Sequence, residues 1–215
     1  SLTLGATTAA EQTAKFFENI VNENTTSSRQ LIIHEVMGRN CGWLTANTAK
    51  FYYNMLNEMS TDFIHPFNIG RYGIHGLYIP EIEVDFANEI NRLNHLMESI
   101  GCLNIFVCEG SFSDKIAEQL ENNGENVEKD AFGHIRLDDL NPGKWFAKQL
   151  ERRLNANKVL VQKSGYFSRS APPNLEDKKL IKKTSEIAVK SALNKISGVI
   201  GIDEDNNEEL SCIEF

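Results

Sequence analysis

Residues Met37-Gly38-Arg39-Asn40-Cys41-Gly42 set one arginine between two glycines. Glycine lets backbone approach a ligand closely. A guanidinium grips a phosphate or carboxylate through two parallel hydrogen bonds. The chemistry implied is anion binding, and the alternative is a tight turn carrying a solvated surface charge. Two later stretches repeat the theme. Glu109-Gly110-Ser111 supplies a carboxylate, and Lys163-Ser164-Gly165-Tyr166-Phe167-Ser168-Arg169 supplies two cations and a phenol. One acid among several cations and a phenol suits a polyol phosphate: the cations take the phosphate and the carboxylate accepts hydrogen bonds from hydroxyls. Each residue also has a structural reading, with Glu109 as a helix-cap partner, Tyr166 as a core phenol and Lys163 as a solvated edge charge.

The elements that must position these groups are readable. Leu31-Ile32-Ile33, Leu103 to Cys108 and Val159-Leu160-Val161 are short apolar runs of the kind that form doubly buried strands. Each ends at one of the three stretches above. Helical periodicity follows the first run, from Trp43 through Phe51. The first of these helices is expected to offer unpaired N–H groups and a positive dipole end to an anion. Further helices are expected from Asp85, with Gly101 as the stop, and from about Asp114 to Leu120. Asn141-Pro142 starts another, and a long one covers about 175–196. Thr8 and Glu11 have capping-box spacing at the start of an N-terminal helix. A short strand is expected near Leu77-Tyr78-Ile79, and Val199 to Ile202 with Leu210 to Phe215 read as a hairpin. Alternation of strands and helices predicts an α/β fold with a mainly parallel sheet between helix layers. Ligands bind such sheets outside the carboxyl ends of the strands.

Composition narrows the classes. The chain has 215 residues, 41% hydrophobic, with a formal charge of −8. That suits a globular protein and gives no basic run for nucleic acid. No apolar stretch is long enough for a membrane span and no signal peptide is visible. The four cysteines form no metal-binding pattern and read as reduced thiols of a cytoplasmic protein. No Walker loop or Rossmann fingerprint occurs, and the five histidines, His34, His65, His75, His95 and His134, read mostly as structural. Both ends read as truncations.

EVMGRNCGWLTANTA resembles the sugar-phosphate motif of 6-phosphofructokinases, above all of the pyrophosphate-dependent branch. SLTLGATTAAEQTAKFFENIV, LYIPEIEVDFANEINRL, FVCEGS, DAFGHIRLDDLNPGKWF and VLVQKSGYFSRSAPPN are similar to the same branch in the same order. The resemblance implies a Rossmann-like fold, glycolytic transfer of a phosphoryl group from pyrophosphate to the 1-hydroxyl of fructose 6-phosphate, and Mg²⁺ bound with pyrophosphate. Position by position it implies that Met37, Gly38 and Arg39 contact fructose 6-phosphate, that Glu109 binds sugar hydroxyls, and that Arg169 grips the 6-phosphate. Tyr166 stands where ATP-dependent relatives have histidine and pyrophosphate-dependent ones tyrosine, and Lys163 is expected near phosphate. The family's neighbour-donated arginine aligns with Gln30, with Arg29 beside it. The family implies a homodimer or homotetramer. Its donor loop and catalytic aspartate would lie upstream of Ser1, so no catalytic residue or metal ligand is expected among residues 1–215. They would form the sugar-phosphate-binding portion, inactive alone, with a donor-domain junction near 165–200. The competing readings are an ATP-dependent enzyme and a non-catalytic module that keeps the fold.

Overall fold

The computed structural model describes residues 3–60, 69–124, 127, 140–203 and 209–215, and divides into two compact units. One comprises residues 10–168, the other residues 1–9 with 169–215. His65, His134 and the DAFGHIRLDD part of the family-like sequence lie outside the described residues.

In the larger unit, strand β1 (Gln30–Val36) is fully buried along its length, as is β3 (Cys102–Cys108). With β2 (Gly76–Tyr78) and β4 (Lys158–Lys163) they form one sheet in the order β2-β3-β1-β4, every neighbouring pair parallel. Strand side chains alternate between faces, and the two faces carry separate cores. Ile32 and Phe106 pack with Ala14, Phe17 and Tyr52, from helices α1 (Ala6–Val21) and α2 (Trp43–Ser60). Leu31, Ile33, Leu103 and Ile105 pack with Leu93 and Met97 of α3 (Phe86–Ile100). The doubly apolar strands thus follow from helices covering both sides.

Local signals decide the ends of several elements. Asp85 caps α3, its carboxylate accepting from the N–H groups of Ala87 and Asn88, and Gly101 closes the helix at φ 79°. Helix α4 covers Ser113–Asn122. Pro142 opens α5 (Pro142–Leu150), where its missing N–H costs nothing. Leu154, beyond the end of α5, is still fully buried. The five residues Gly165–Arg169 form a short helix, α6, immediately after β4.

The smaller unit holds α7 (Leu175–Leu193) and an antiparallel hairpin of β5 (Gly198–Asp203) and β6 (Glu209–Glu214). It corrects the expected capping box. Helix α1 begins at Ala6, so Thr8 is already inside it. The buried carboxylate of Asp177 accepts from Gly5 N at 3.0 Å, Thr8 N at 2.7 Å and the Thr8 hydroxyl. A distant acid thus takes the Thr8 N–H in the first turn of the helix and the Gly5 N–H just before it.

Candidate functional site

Parallel pairing brings the predicted residues to one edge of the sheet. Val36 is in register with Cys108, so Met37 and Glu109 leave adjacent strands at the same level, and Glu109 N donates to Val36 O at 2.9 Å. The Met37-Gly38-Arg39 segment then turns sharply. Gly38 has φ 146°, Arg39 has φ 49°, and Cys41 N donates to Gly38 O at 2.9 Å. A Cβ on Gly38 would lie 2.5 Å from Cys41 O, so only glycine fits. Glu109 clasps the turn: its Oε1 accepts from Arg39 N at 2.8 Å and Gly38 N at 3.2 Å. Gly110 makes this contact possible, because a Cβ there would sit 1.9 Å from Arg39 O. Beneath the turn the Cys108 thiol donates to Arg39 O at 3.3 Å, and burial raises its pKa, so it stays a neutral donor. The Arg39 side chain is exposed.

The third strand end closes on the other flank of β1. Glu35 is in register with Lys163, and the Lys163 ammonium lies 2.7 Å from Glu35 Oε1 and 2.8 Å from Asn141 Oδ1. The other oxygen, Glu35 Oε2, accepts from Gly143 N in the first turn of α5 at 2.9 Å. A Cβ on Gly165 would stand 3.7 Å from Met37 Sδ, which sets the start of α6 beside the first segment. Tyr166, next along α6, is 86% exposed and is therefore no core phenol. Arg169, the last residue of α6, is exposed and falls in the smaller unit.

A carboxylate, an exposed guanidinium, a half-exposed ammonium and an exposed phenol thus border the carboxyl ends of β3, β1 and β4. Over nearly its whole length the chain aligns with known enzymes. It is 48% identical over 214 residues to the pyrophosphate--fructose 6-phosphate 1-phosphotransferase of Methylotuvimicrobium alcaliphilum, covering 99% of this chain and 52% of that protein. The chain is homologous to the pyrophosphate-dependent phosphofructokinases. Proteins of the same name from Mastigamoeba balamuthi and Propionibacterium freudenreichii are 48% and 45% identical, again over 99% of this chain and 52% of theirs. The chain therefore spans about half the length of the curated relatives it matches. No protein-family model matches it. The fold agrees with solved phosphofructokinases. The pyrophosphate-dependent phosphofructokinase of Marinobacter aquaeolei superposes with a TM-score of 0.56 at 20% identity, over 98% of this chain and 44% of that one. The phosphofructokinase of Saccharomyces cerevisiae gives 0.54 at 20% identity, over 90% and 20%.

Within this phosphofructokinase fold, the structure brings together Met37, Gly38, Arg39, Glu109, Lys163 and Tyr166 around three strand ends of the larger unit. The helix N-terminus reads differently from expectation. Gly42 N, at the entry to α2, donates to Glu81 Oε1 at 2.8 Å, so a protein carboxylate takes the position expected for a bound anion. Arg29 and Gln30 stand at the opposite end of β1 from Met37. The Arg29 guanidinium donates to Leu154 O and Asn155 O, while Gln30 is fully buried. Sequence reasoning passed over Glu35, Glu81 and Asn141. Glu35 precedes Met37 by two residues and was legible as the one acid in an apolar strand. The other two are recognisable only once the loops are folded.

Proposed function

We propose that this chain carries the fructose 6-phosphate site of a pyrophosphate-dependent phosphofructokinase. In the whole protein the 1-hydroxyl oxygen of fructose 6-phosphate attacks one phosphorus of pyrophosphate. The bridging P–O bond breaks, inorganic phosphate leaves, the hydroxyl proton passes to a base, and fructose 1,6-bisphosphate forms. We assign the base and the donor site to the part of the relatives that this chain does not span. On that reading this chain alone binds the acceptor and does not turn it over.

The observation that carries the reading is the clasp of Glu109 on the Gly38 and Arg39 amides, in a chain 45–48% identical to named pyrophosphate-dependent enzymes. The clasp uses Glu109 Oε1, and we assign Oε2 to a sugar hydroxyl and the exposed Arg39 side chain to the same ligand. Tyr166 adds an exposed phenol, and Arg169, on the same short helix, is assigned the 6-phosphate. Mg²⁺ is expected with pyrophosphate. Among the described residues no group of three or more His, Cys, Asp or Glu could hold a metal ion. The four cysteines are free thiols, which supports a reducing, cytoplasmic setting. No described helix is long and apolar enough to cross a membrane. A homodimer or homotetramer is proposed on the family resemblance.

Calorimetric titration with fructose 6-phosphate, with fructose 1-phosphate as control, tests the reading. Selective binding of the 6-phosphate is expected. Arg39→Ala should weaken it by about 1.5–3 kcal/mol, the range for a hydrogen bond to a charged group. Equal affinity in the variant would make Arg39 a surface charge and remove the basis of the assignment.

A further inference from the structure

Beside the three strand ends lies a buried carboxylate that no role above uses. Glu35 is 6% exposed, on the central strand, and both of its oxygens are engaged. Oε2 receives Gly143 N–H from the first turn of the nine-residue helix α5, where the dipole favours negative charge. Oε1 holds the Lys163 ammonium at 2.7 Å. Asn141 Oδ1, one residue before the same helix, takes a second ammonium hydrogen at 2.8 Å.

An ammonium has three N–H donors on a long flexible stem. Two are committed here, to acceptors fixed by a buried strand and by a helix start. Among the described residues no acceptor takes the third, on a side chain that is 46% exposed at the rim where β4 ends. A lysine on an exposed strand end ordinarily samples many rotamers and loses that freedom when it binds an anion. Here the protein has fixed it beforehand.

We propose that Glu35 and Asn141 are positioning residues that hold the Lys163 ammonium in place for the phosphate-bearing ligand of this site. The inference deepens, and rests on, the assignment of a fructose 6-phosphate site. It differs from a plain ion pair in the sign of its consequence. If Glu35 only neutralised Lys163, removing its charge would strengthen attraction for a dianionic phosphate. If Glu35 positions Lys163, removing it releases the ammonium and weakens binding despite the favourable change in charge.

Titration of the 215-residue chain with fructose 6-phosphate separates the two. Glu35→Gln is expected to weaken binding about tenfold, near the lower limit of what a lost charge-assisted hydrogen bond costs. Lys163→Met should weaken it at least as much. The double variant should bind no worse than Lys163→Met, because both changes remove one interaction. Asn141→Ala leaves no buried charge unpaired and is the variant to use if Glu35→Gln fails to fold; a loss of about threefold is expected, smaller than for Glu35→Gln because the acceptor lost is an uncharged amide oxygen. Unchanged or tighter binding by a folded Glu35→Gln or Asn141→Ala chain, or additive losses in the double variant, overturns the proposal. If the unsubstituted chain does not bind fructose 6-phosphate, the site assignment itself fails and this inference with it.

Discussion

His34 lies in the middle of the central strand, fully buried, with the Phe17 ring stacked on it at 5.5 Å, the Phe16 ring tilted against it at 5.7 Å and the Phe106 ring T-shaped to it at 5.1 Å. Neither ring nitrogen has a hydrogen-bond partner among the described residues. Burial drives its pKa from 6.5 down to about 3, because this apolar setting cannot solvate an imidazolium. The unfolded chain takes up a proton near pH 6.5 and the folded chain does not. The unfolded state therefore binds more protons between those values, and stability falls as pH drops through that window. One pH unit below the unfolded pKa, at pH 5.5, the loss relative to pH 7.5 is about 1.4 kcal/mol from this residue. Replacing it with leucine, similar in volume and apolar, removes the titration. The measurement is urea unfolding of both chains at pH 7.5 and pH 5.5, followed by the fluorescence of Trp43 and Trp145, both in the larger unit. The wild-type chain should lose about 1.4 kcal/mol more than His34→Leu between the two pH values, a midpoint displacement of roughly 0.7 M at a slope of about 2 kcal/mol/M. His75 is also lowered, chiefly by burial, but it remains in both chains and cancels in the comparison. Equal losses in the two chains would refute the argument, since they would mean that His34 is protonated or solvated in the folded protein.

Two further substitutions probe the packing that shapes the site and the join that fixes the first helix. Gly110→Ala drives a methyl group to 1.9 Å from Arg39 O, so the clasped turn must move; a loss of about 1–3 kcal/mol in thermal unfolding is expected, with weaker fructose 6-phosphate binding. Unaltered stability would show that the turn yields freely. Asp177→Ala strips the acceptor from Gly5 N, Thr8 N and the Thr8 hydroxyl, and should cost about 1–3 kcal/mol locally. Amide hydrogen exchange at residues 5–9 should rise while exchange in β1 and β3 stays slow; unchanged protection at Thr8 would argue against the cap.

The fold was legible where one residue pattern admits one solution. Two strands apolar on both faces, separated by helical periods, require parallel pairing under two helix layers. The pairing of β1 with β3 and β4 satisfies that requirement. Asp85 and Gly101 bound α3 as written, because both signals act within a few residues of the helix end. The start of α1 was not legible for the opposite reason. Its cap is Asp177, far along the chain, and the local spacing of Thr8 and Glu11 carries no trace of that distant carboxylate. Residues 69–75 likewise hold their shape through distant contacts. Their regularity comes from the Arg71 guanidinium donating to Ile100 O, Asn24 O and Ser27 O, and from Asn104 N donating to His75 Nδ1.

The candidate site divides along the same line. Sequence could place Arg39, Glu109, Lys163 and Tyr166 at strand ends, because a parallel sheet puts all its carboxyl ends on one edge. It could not say which groups answer one another, since that depends on register between strands. A shift of one residue in the pairing of β1 with β4 would turn Glu35 away from Lys163, because neighbouring positions face opposite sides of the sheet. With the observed register, the cation read as a solvated edge charge or a phosphate ligand acquires an internal partner before any ligand arrives. Likewise the Glu109 carboxylate reaches amide N–H groups, as a cap partner would, but those of the arginine turn and not of a helix. Each acid thereby fixes part of a neighbouring basic residue, Glu109 the backbone of Arg39 and Glu35 the ammonium of Lys163, and both contacts exist only because the strands pair in this register.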